Sequence, residues 1–335
     1  MSSSSALDII RANRFIPTAD YEEAKRNYDY DLDRFLKYSS TGGIRPDPVV
    51  VESFLTSAYH ALEKGLAMAE PYAGFGQRYI PIVLAGIAEL EHCGHARFAT
   101  QGARGCLAAY VRYHDSRGFP LPAQFEMDLR VFAAEANNKP ALGGSITLTR
   151  RAIEEATNFD YAQFVGTRYS VRHFTGERVS PDAVRQAVGL AMKTPRTCNR
   201  EMRRVYVVYE PILRHRVLNL HYGNRGFGDC LGALLIVTAD IRELYEIAER
   251  NQAWIDGGLF AMSLVYALHS ARLGTCMLNW SVDYKHDQKF RTEFNIPDNE
   301  VIVTFIGVGH VPDTFEVAAS PAPSVHEVLS ELKAR

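Results

Sequence analysis

The chain has 335 residues, 47% of them hydrophobic and 23% charged. That length favours two domains, and the composition is ordinary globular usage with enough apolar residues for a sizeable core. A formal net charge of −2 gives no whole-protein reason to expect nucleic acid or an acidic membrane surface as a partner.

Residues 1–19 read as loosely packed. Their Ser-rich start has neither the basic residues nor the apolar core of a signal peptide, and no uninterrupted apolar run reaches spanning length. The five cysteines, Cys93, Cys106, Cys198, Cys230 and Cys276, are odd in number and widely spread, with no C-x-x-C pair. Free thiols in a cytoplasmic protein are the simplest reading, and neither zinc nor a redox dithiol is indicated.

From 21 to 38, charges alternate with Tyr, Phe and Leu, which predicts a polar amphipathic helix. Ser39-Ser40-Thr41-Gly42-Gly43 breaks it, and Pro46 and Pro48 hold the connection extended. A second helix is expected over 48–68. On it His60, Glu63 and Lys64 share a face, which reads as a solvated surface with one ion pair. After Gly65 a loop with Pro71, Gly74 and Gly76 follows, then helices over 80–93, 96–116 and 124–137. Asn137-Asn138-Lys139-Pro140 with Gly143-Gly144 marks a boundary, and 147–157 reads as a linking helix. The expected organisation is a mostly helical N-terminal domain with linker at 1–157, without a motif that carries chemistry, and a second domain at 158–335.

The second domain is organised around Thr167-Arg168-Tyr169-Ser170-Val171-Arg172-His173-Phe174. In an extended segment, residues two apart point the same way. Arg168, Ser170 and Arg172 then face one ligand, and two guanidiniums with a hydroxyl suit a phosphate. Ser180, Pro181 and Asp182 open a helix expected over 181–193. Strand, helix and strand follow at 204–209, 211–221 and 233–239. Helices are predicted at 241–251 and 256–272, strands near 275–282 and 301–308, and a terminal helix at 324–333. The order implies an α+β fold with a mixed sheet covered by helices. Gly223, Gly226 and Gly228 lack the Lys-Ser/Thr pair and preceding strand of a phosphate loop and read as a turn. Asn199, in a short polar turn, can donate and accept at once. Asp256 complements the dipole of the helix it opens.

Arg168-Tyr-Ser-Val-Arg-His-Phe resembles the opening motif of the nitroreductase-like flavoproteins. Thr194-Pro195-Arg196-Thr197-Cys198-Asn199-Arg200, Asp256-Gly257-Gly258-Leu259-Phe260-Ala261-Met262-Ser263-Leu264, Leu273-Gly274-Thr275-Cys276-Met277-Leu278-Asn279-Trp280 and Val308-Gly309-His310 resemble that family in the same order. The resemblance covers roughly residues 160–329. It implies a nitroreductase-like mixed sheet, a homodimer with a helical interface, and FMN held between subunits. By resemblance Arg168 and Ser170 hold the FMN phosphate, Tyr169 belongs to the same cofactor site, and Arg172 lies near the ribityl chain and the N1/O2 side of the ring. Asn199 would meet the pyrimidine edge, and Leu278, Asn279 and Trp280 would lie along the flavin. Arg196, Glu201 and Phe227 are the substrate candidates, with Tyr59, His60 and Lys64 of the helical domain near that pocket. The chain departs from the family at Glu201-Met202-Arg203, where Gln, Pro and an aromatic are common, and at Arg196, where a small residue is usual. It departs again at 318–323, which holds no Lys or Arg.

The implied activity is that of an FMN-dependent oxidoreductase. Hydride passes from NADH or NADPH to flavin N5, and an electron-poor small molecule is then reduced at the same site in ping-pong order. The flavin carries the chemistry; no protein acid or base and no metal is implied. A different class of function is also open: a redox-inactive dimer of the same fold serving as a binding or scaffold module. A third keeps the flavin for an oxidation or dehalogenation without nicotinamide.

Overall fold

The computed structural model describes residues 21–43, 47–136 and 142–334. The expectations for 1–19, for Pro46 and for the boundary at 137–140 fall outside those residues.

The N-terminal part is helical, as expected. It holds α1 (Tyr21–Tyr38), α2 (Pro48–Leu66), α3 (Ile80–His92), α4 (Phe98–Arg117) and α5 (Glu126–Ala136). Asp47 caps α2 by accepting from the Val49 amide at 2.9 Å, and Pro48 occupies the first turn, where its missing N–H costs nothing. Leu55, Leu62, Ile80, Ile87, Leu90, Leu107, Tyr110 and Leu129 from α2 to α5 close one core. The chain then crosses α4 at Leu142–Gly144 in very close contact. A Cβ on Gly105 would stand 1.7 Å from the Leu142 carbonyl oxygen, and one on Gly143, at φ +86°, 2.2 Å from that of Gly102. Glu63 fastens this crossing by accepting from the Gly144 amide and from His60 Nδ1, each at 3.1 Å. Its carboxylate therefore serves the packing of the helical part, where the sequence suggests a solvated face.

Two short helices, α6 (Arg150–Ala156) and α7 (Tyr161–Gly166), lead to the sheet half. There α8 (Pro181–Ala191), β1 (Arg203–Val208), α9 (Pro211–Asn219), β2 (Ala233–Asp240), α10 (Gln252–Ser270), β3 (Gly274–Asn279), α11 (Tyr284–Phe294), β4 (Glu300–Gly309) and the single turn α12 (Val325–Val328) follow. The strands lie in the order β1-β2-β4-β3, and every pairing among them is antiparallel. The parallel component is one bridge, Ser170 to Thr275, at the β3 edge. Alternation sorts the buried strands onto two faces. Leu235, Val237, Ile306 and Val308 pack under α8 and α10 with Val184, Phe260 and Leu264. Leu234, Ile236, Leu278 and Phe305 pack against Val217, Leu218 and Phe290 of α9 and α11. The fold is α+β, as the sequence implies.

Several elements differ from expectation, the short helix α7 among them. Residues 241–251 form two single 3₁₀ turns, Ile241–Glu243 and Ile247–Glu249, and no α-helix. The carbonyls a helix would use there are taken: Glu243 O accepts from Ser53 Oγ at 2.8 Å, and Leu244 O from the Ser40 amide at 2.9 Å. The helix expected at 324–333 is the single turn α12. Helix α11 was hidden by polarity. Its eleven residues carry an Asp283 cap to the His286 amide and an Asp287–Arg291 pair at i,i+4, signals weaker than an apolar stripe. Helix α1 also packs on the sheet half. Phe35 joins Met202, Ala239, Ile241, Leu244, Ala253 and Val301 in a small core.

Candidate functional site

The segment after α7 is extended and runs beside β3, with the Val171 amide donating to Thr275 O at 2.8 Å. Val171 is buried in the sheet core, and Arg172 next to it is exposed. The alternation therefore sets Arg168, Ser170 and Arg172 on the opposite side from Tyr169 and Val171. Neither Arg168 nor Arg172 forms a salt bridge among the described residues; the Arg172 guanidinium only approaches Ser170 O at 3.4 Å. Burial pushes the Cys276 thiol up in pKa, and Arg172 opposes this, which places that cation close to β3. Tyr169 parts from the three. With Val171, Arg272, Thr275, Val311 and Phe315 it lines a mainly apolar cleft of about 460 Å³.

On β3, Met277 and Asn279 are exposed, while the Leu278 side chain is in the core. Leu278 can therefore meet a ligand only through its backbone. Trp280 follows the strand and is held inward. Its indole donates to Asp287 at 2.8 Å, and its ring packs on Phe290 and Phe305 at centroid distances of 4.8 and 5.1 Å. Phe227 is buried against Phe174 and faces the core instead of a pocket entrance.

The 196–200 loop is the most constrained stretch of the sheet half. Cys198 and Asn199 have φ of +47° and +61°. Two consecutive left-handed non-glycine residues persist only where the surroundings over-determine them, and such strain gathers at functional sites. The surroundings here are three. Arg196 Nε donates to Asn199 O at 2.8 Å. Asp256 accepts from the Thr197 amide at 2.9 Å and is itself held by Gln252 at 2.8 Å. Arg200 is fully buried; it pairs with Glu249, donates to the Glu243 carbonyl and lies 4.3 Å over the Tyr245 ring. Helix α2 covers the far side, with Phe54 stacked on Tyr245 at 5.0 Å and Ser57 bonded to its hydroxyl at 3.0 Å. The sequence reading missed Arg200 and gave Asp256 only a dipole role. Nothing in local spacing marks a buried arginine. Glu201 is committed to Arg203, whose Nε and Nη2 reach its two oxygens at 2.8 and 2.6 Å. Among the described residues no hydrogen bond joins this loop to the 168–172 segment, and no group of three His, Cys, Asp or Glu is arranged to hold a metal.

Burial raises the Glu243 carboxyl to a pKa of about 8, and Asp240 and Glu52 add to the shift against Arg204 and Arg200. The unfolded chain releases this proton near pH 4.5, and the folded chain keeps it to about 8. The stability this group contributes is therefore complete at low pH and declines as pH rises across that window. Glu243→Gln is expected to outlast the wild type increasingly from pH 5 to 8 in denaturant unfolding, by on the order of a few kcal/mol at the top. A difference that does not change with pH would overturn this.

The model of the nitroreductase family matches residues 214–310. No curated protein matches the chain. Among solved structures, a putative nitroreductase in complex with FMN from Desulfovibrio desulfuricans is 20% identical, with 53% of this chain and 100% of that one covered and a TM-score of 0.45. A nitroreductase family protein from Streptococcus pneumoniae TIGR4 is 19% identical over 52% and 100%, with a TM-score of 0.45. An FMN-dependent nitroreductase from Clostridium difficile R20291 is 18% identical over 47% and 91%, with a TM-score of 0.40.

Proposed function

We propose that this chain, which carries a nitroreductase-family domain over residues 214–310, is an FMN-dependent oxidoreductase. The observation that carries the reading is the pair Arg168 and Arg172, which have no carboxylate partner among the described residues and flank Ser170 on one side of a segment fastened to β3. Three buried arginines of the sheet half have carboxylate partners, Arg200 with Glu249, Arg203 with Glu201 and Arg291 with Asp287, and buried Arg214 donates to the Tyr209 and Asp229 carbonyls. Arginines without a counter-charge, beside a hydroxyl and on a fixed edge, fit an anionic cofactor.

FMN, when bound, would supply the hydride chemistry: reduction by NADH or NADPH, then transfer to an electron-poor small molecule at the same site. In this reading Arg168 and Ser170 hold the phosphate. Arg172 places its charge where the reduced ring is negative. Asn199 fixes the pyrimidine edge in a loop strained into one shape by Asp256 and Arg200. The β3 backbone at Leu278 and Asn279 donates along the ring. Trp280 sets the end of that strand through Asp287. Tyr169 lies on the far side of the segment and packs, without touching the phosphate. The homodimer of this reading uses α10, which leaves Trp254, Ile255 and Leu259 exposed on the single chain. Five free cysteines suit the reducing cytoplasm, and no helix among the described residues is long and apolar enough to cross a membrane.

The scaffold alternative draws on two features: Glu201-Met202-Arg203 stands where the family has Gln, Pro and an aromatic, and the exposed run 318–323 offers no cation to a phosphate. The deciding experiment is the visible spectrum and mass of the purified protein. Yellow protein with about one FMN per chain, eluting as a dimer and oxidising NAD(P)H in the presence of a quinone, is the expected result. Colourless protein that takes up no added FMN would move the assignment to the scaffold.

A further inference from the structure

The sequence offers three side chains for a substrate pocket, and the structure separates them. Phe227 is in the core. Both oxygens of Glu201 are on Arg203. Arg196 remains. Its Nε donates to the Asn199 carbonyl and lies 3.5 Å from Glu201, a carboxylate it shares with Arg203. Its two terminal nitrogens have no acceptor among the described residues, although the side chain is only 18% exposed. Glu201 carries one negative charge for two guanidiniums, Arg196 and Arg203. Tyr59 of α2 is close enough to feel its charge, but burial, with Glu63, pushes that phenol up to about 12, so it stays neutral. Glu63 is engaged with His60 and the Gly144 amide.

A guanidinium fixed at one end, partly desolvated and sharing one carboxylate with a second arginine is a receptor for a planar anion, because two parallel donors match two carboxylate oxygens. It sits three residues before Asn199, in the loop that the FMN reading places at the flavin. We infer that Arg196 receives an anionic group of the electron acceptor, so that the substrate class is electron-poor small molecules bearing a carboxylate. This rests on the FMN reading for the word acceptor; the anion site itself does not. Arg196 is then a specificity residue, and α2 with Tyr59 forms the wall behind the bound carboxylate.

The test compares 4-nitrobenzoate with nitrobenzene, alike in the reducible group and different in charge. Calorimetric titration of the purified protein, with and without added FMN, is expected to show the anion bound about 10- to 100-fold tighter, with the advantage shrinking as salt is added. In Arg196→Gln that advantage should collapse, and Arg196→Lys should keep part of it, since a point charge remains without the fork. With a flavin-loaded protein, the ratio of kcat/KM for the two acceptors should follow the binding ratio. Equal binding of the two probes to wild type overturns the inference. So does a ratio that survives in Arg196→Gln, or FMN affinity falling in that variant with the ratio intact, which would make Arg196 a cofactor contact. Colourless protein that still takes 4-nitrobenzoate through Arg196 keeps the anion site and removes the flavin reading instead.

Discussion

Asp287→Ala is expected to lower the unfolding free energy by about 3–5 kcal/mol, among the largest losses any single side chain here should give. The carboxylate is buried and accepts from three elements at once: Tyr30 Oη of α1 at 2.8 Å, Trp280 Nε1 after β3 at 2.8 Å, and Arg291 Nε of α11 at 2.5 Å. Arg34 of α1 approaches it at 3.9 Å. Burial by itself would raise its pKa; Arg291 and the hydrogen bonds from Trp280 and Tyr30 outweigh that and hold the carboxyl below its ordinary value. Its contribution is thus present above the ordinary carboxylate range and is lost as pH falls through the lowered pKa. Removing it leaves two buried guanidiniums facing each other, and Arg34 already has its pKa lowered first by burial and then by Arg291. Tyr30 and Trp280 each lose their acceptor as well. Asp287→Asn keeps an acceptor without the charge and should lose less. Equilibrium unfolding in urea at neutral pH reads both variants, and proteolysis within α1 should accelerate in the alanine variant. A loss under about 1 kcal/mol would mean that the cluster is no stronger than a surface ion pair.

That cluster also shows where the sequence was legible and where it was not. Helices α2 and α8 carry the side-chain N-caps Asp47 and Ser180, and α3 and α4 are followed by the left-handed glycines Gly94 and Gly118, so their bounds lie close to the local pattern. Strands β1, β2 and β4 follow from their β-branched runs, whereas β3 holds only Thr275 of that type. The alternation of the 168–172 segment was legible for the same reason: it is a local property, and it alone separates Arg168, Ser170 and Arg172 from Tyr169 and Val171. What was hidden is held by partners distant in sequence. Asp287 belongs to a helix whose polarity gave no periodic signal, and its partner Tyr30 lies 257 positions away. Residues 241–251 have helical composition, yet their carbonyls are captured by Ser53, Ser40 and Arg200. Glu201 looks like a free carboxylate in the sequence, yet Arg203, two positions on, bonds both its oxygens. A charge can be read in a sequence, but the partner that neutralises it across the fold cannot.

The same distinction between paired and unpaired arginines sets the largest functional effect. Arg168→Ala and Arg172→Ala are each expected to weaken FMN binding by about 10- to 100-fold, the loss of one charge-assisted contact. The double variant should approach the product of the two, unless both cations grip the same oxygens. Neither change should unfold the protein, because neither guanidinium forms a salt bridge among the described residues. Denaturation midpoints within about 0.5 kcal/mol of wild type would separate this case from that of a structural arginine such as Arg200. The two positions should differ in one further respect. Arg168, assigned to the phosphate, should change affinity without moving the flavin potential. Removing Arg172, assigned to the ring, should also lower the potential, because that cation favours the reduced, negatively charged form. Fluorescence titration of FMN into apoprotein gives the affinities, and dye-equilibrated reduction of the loaded protein gives the potentials. If Arg172→Ala keeps both affinity and potential, Arg172 does not face the ring, and the alternation of this segment serves only its packing on β3.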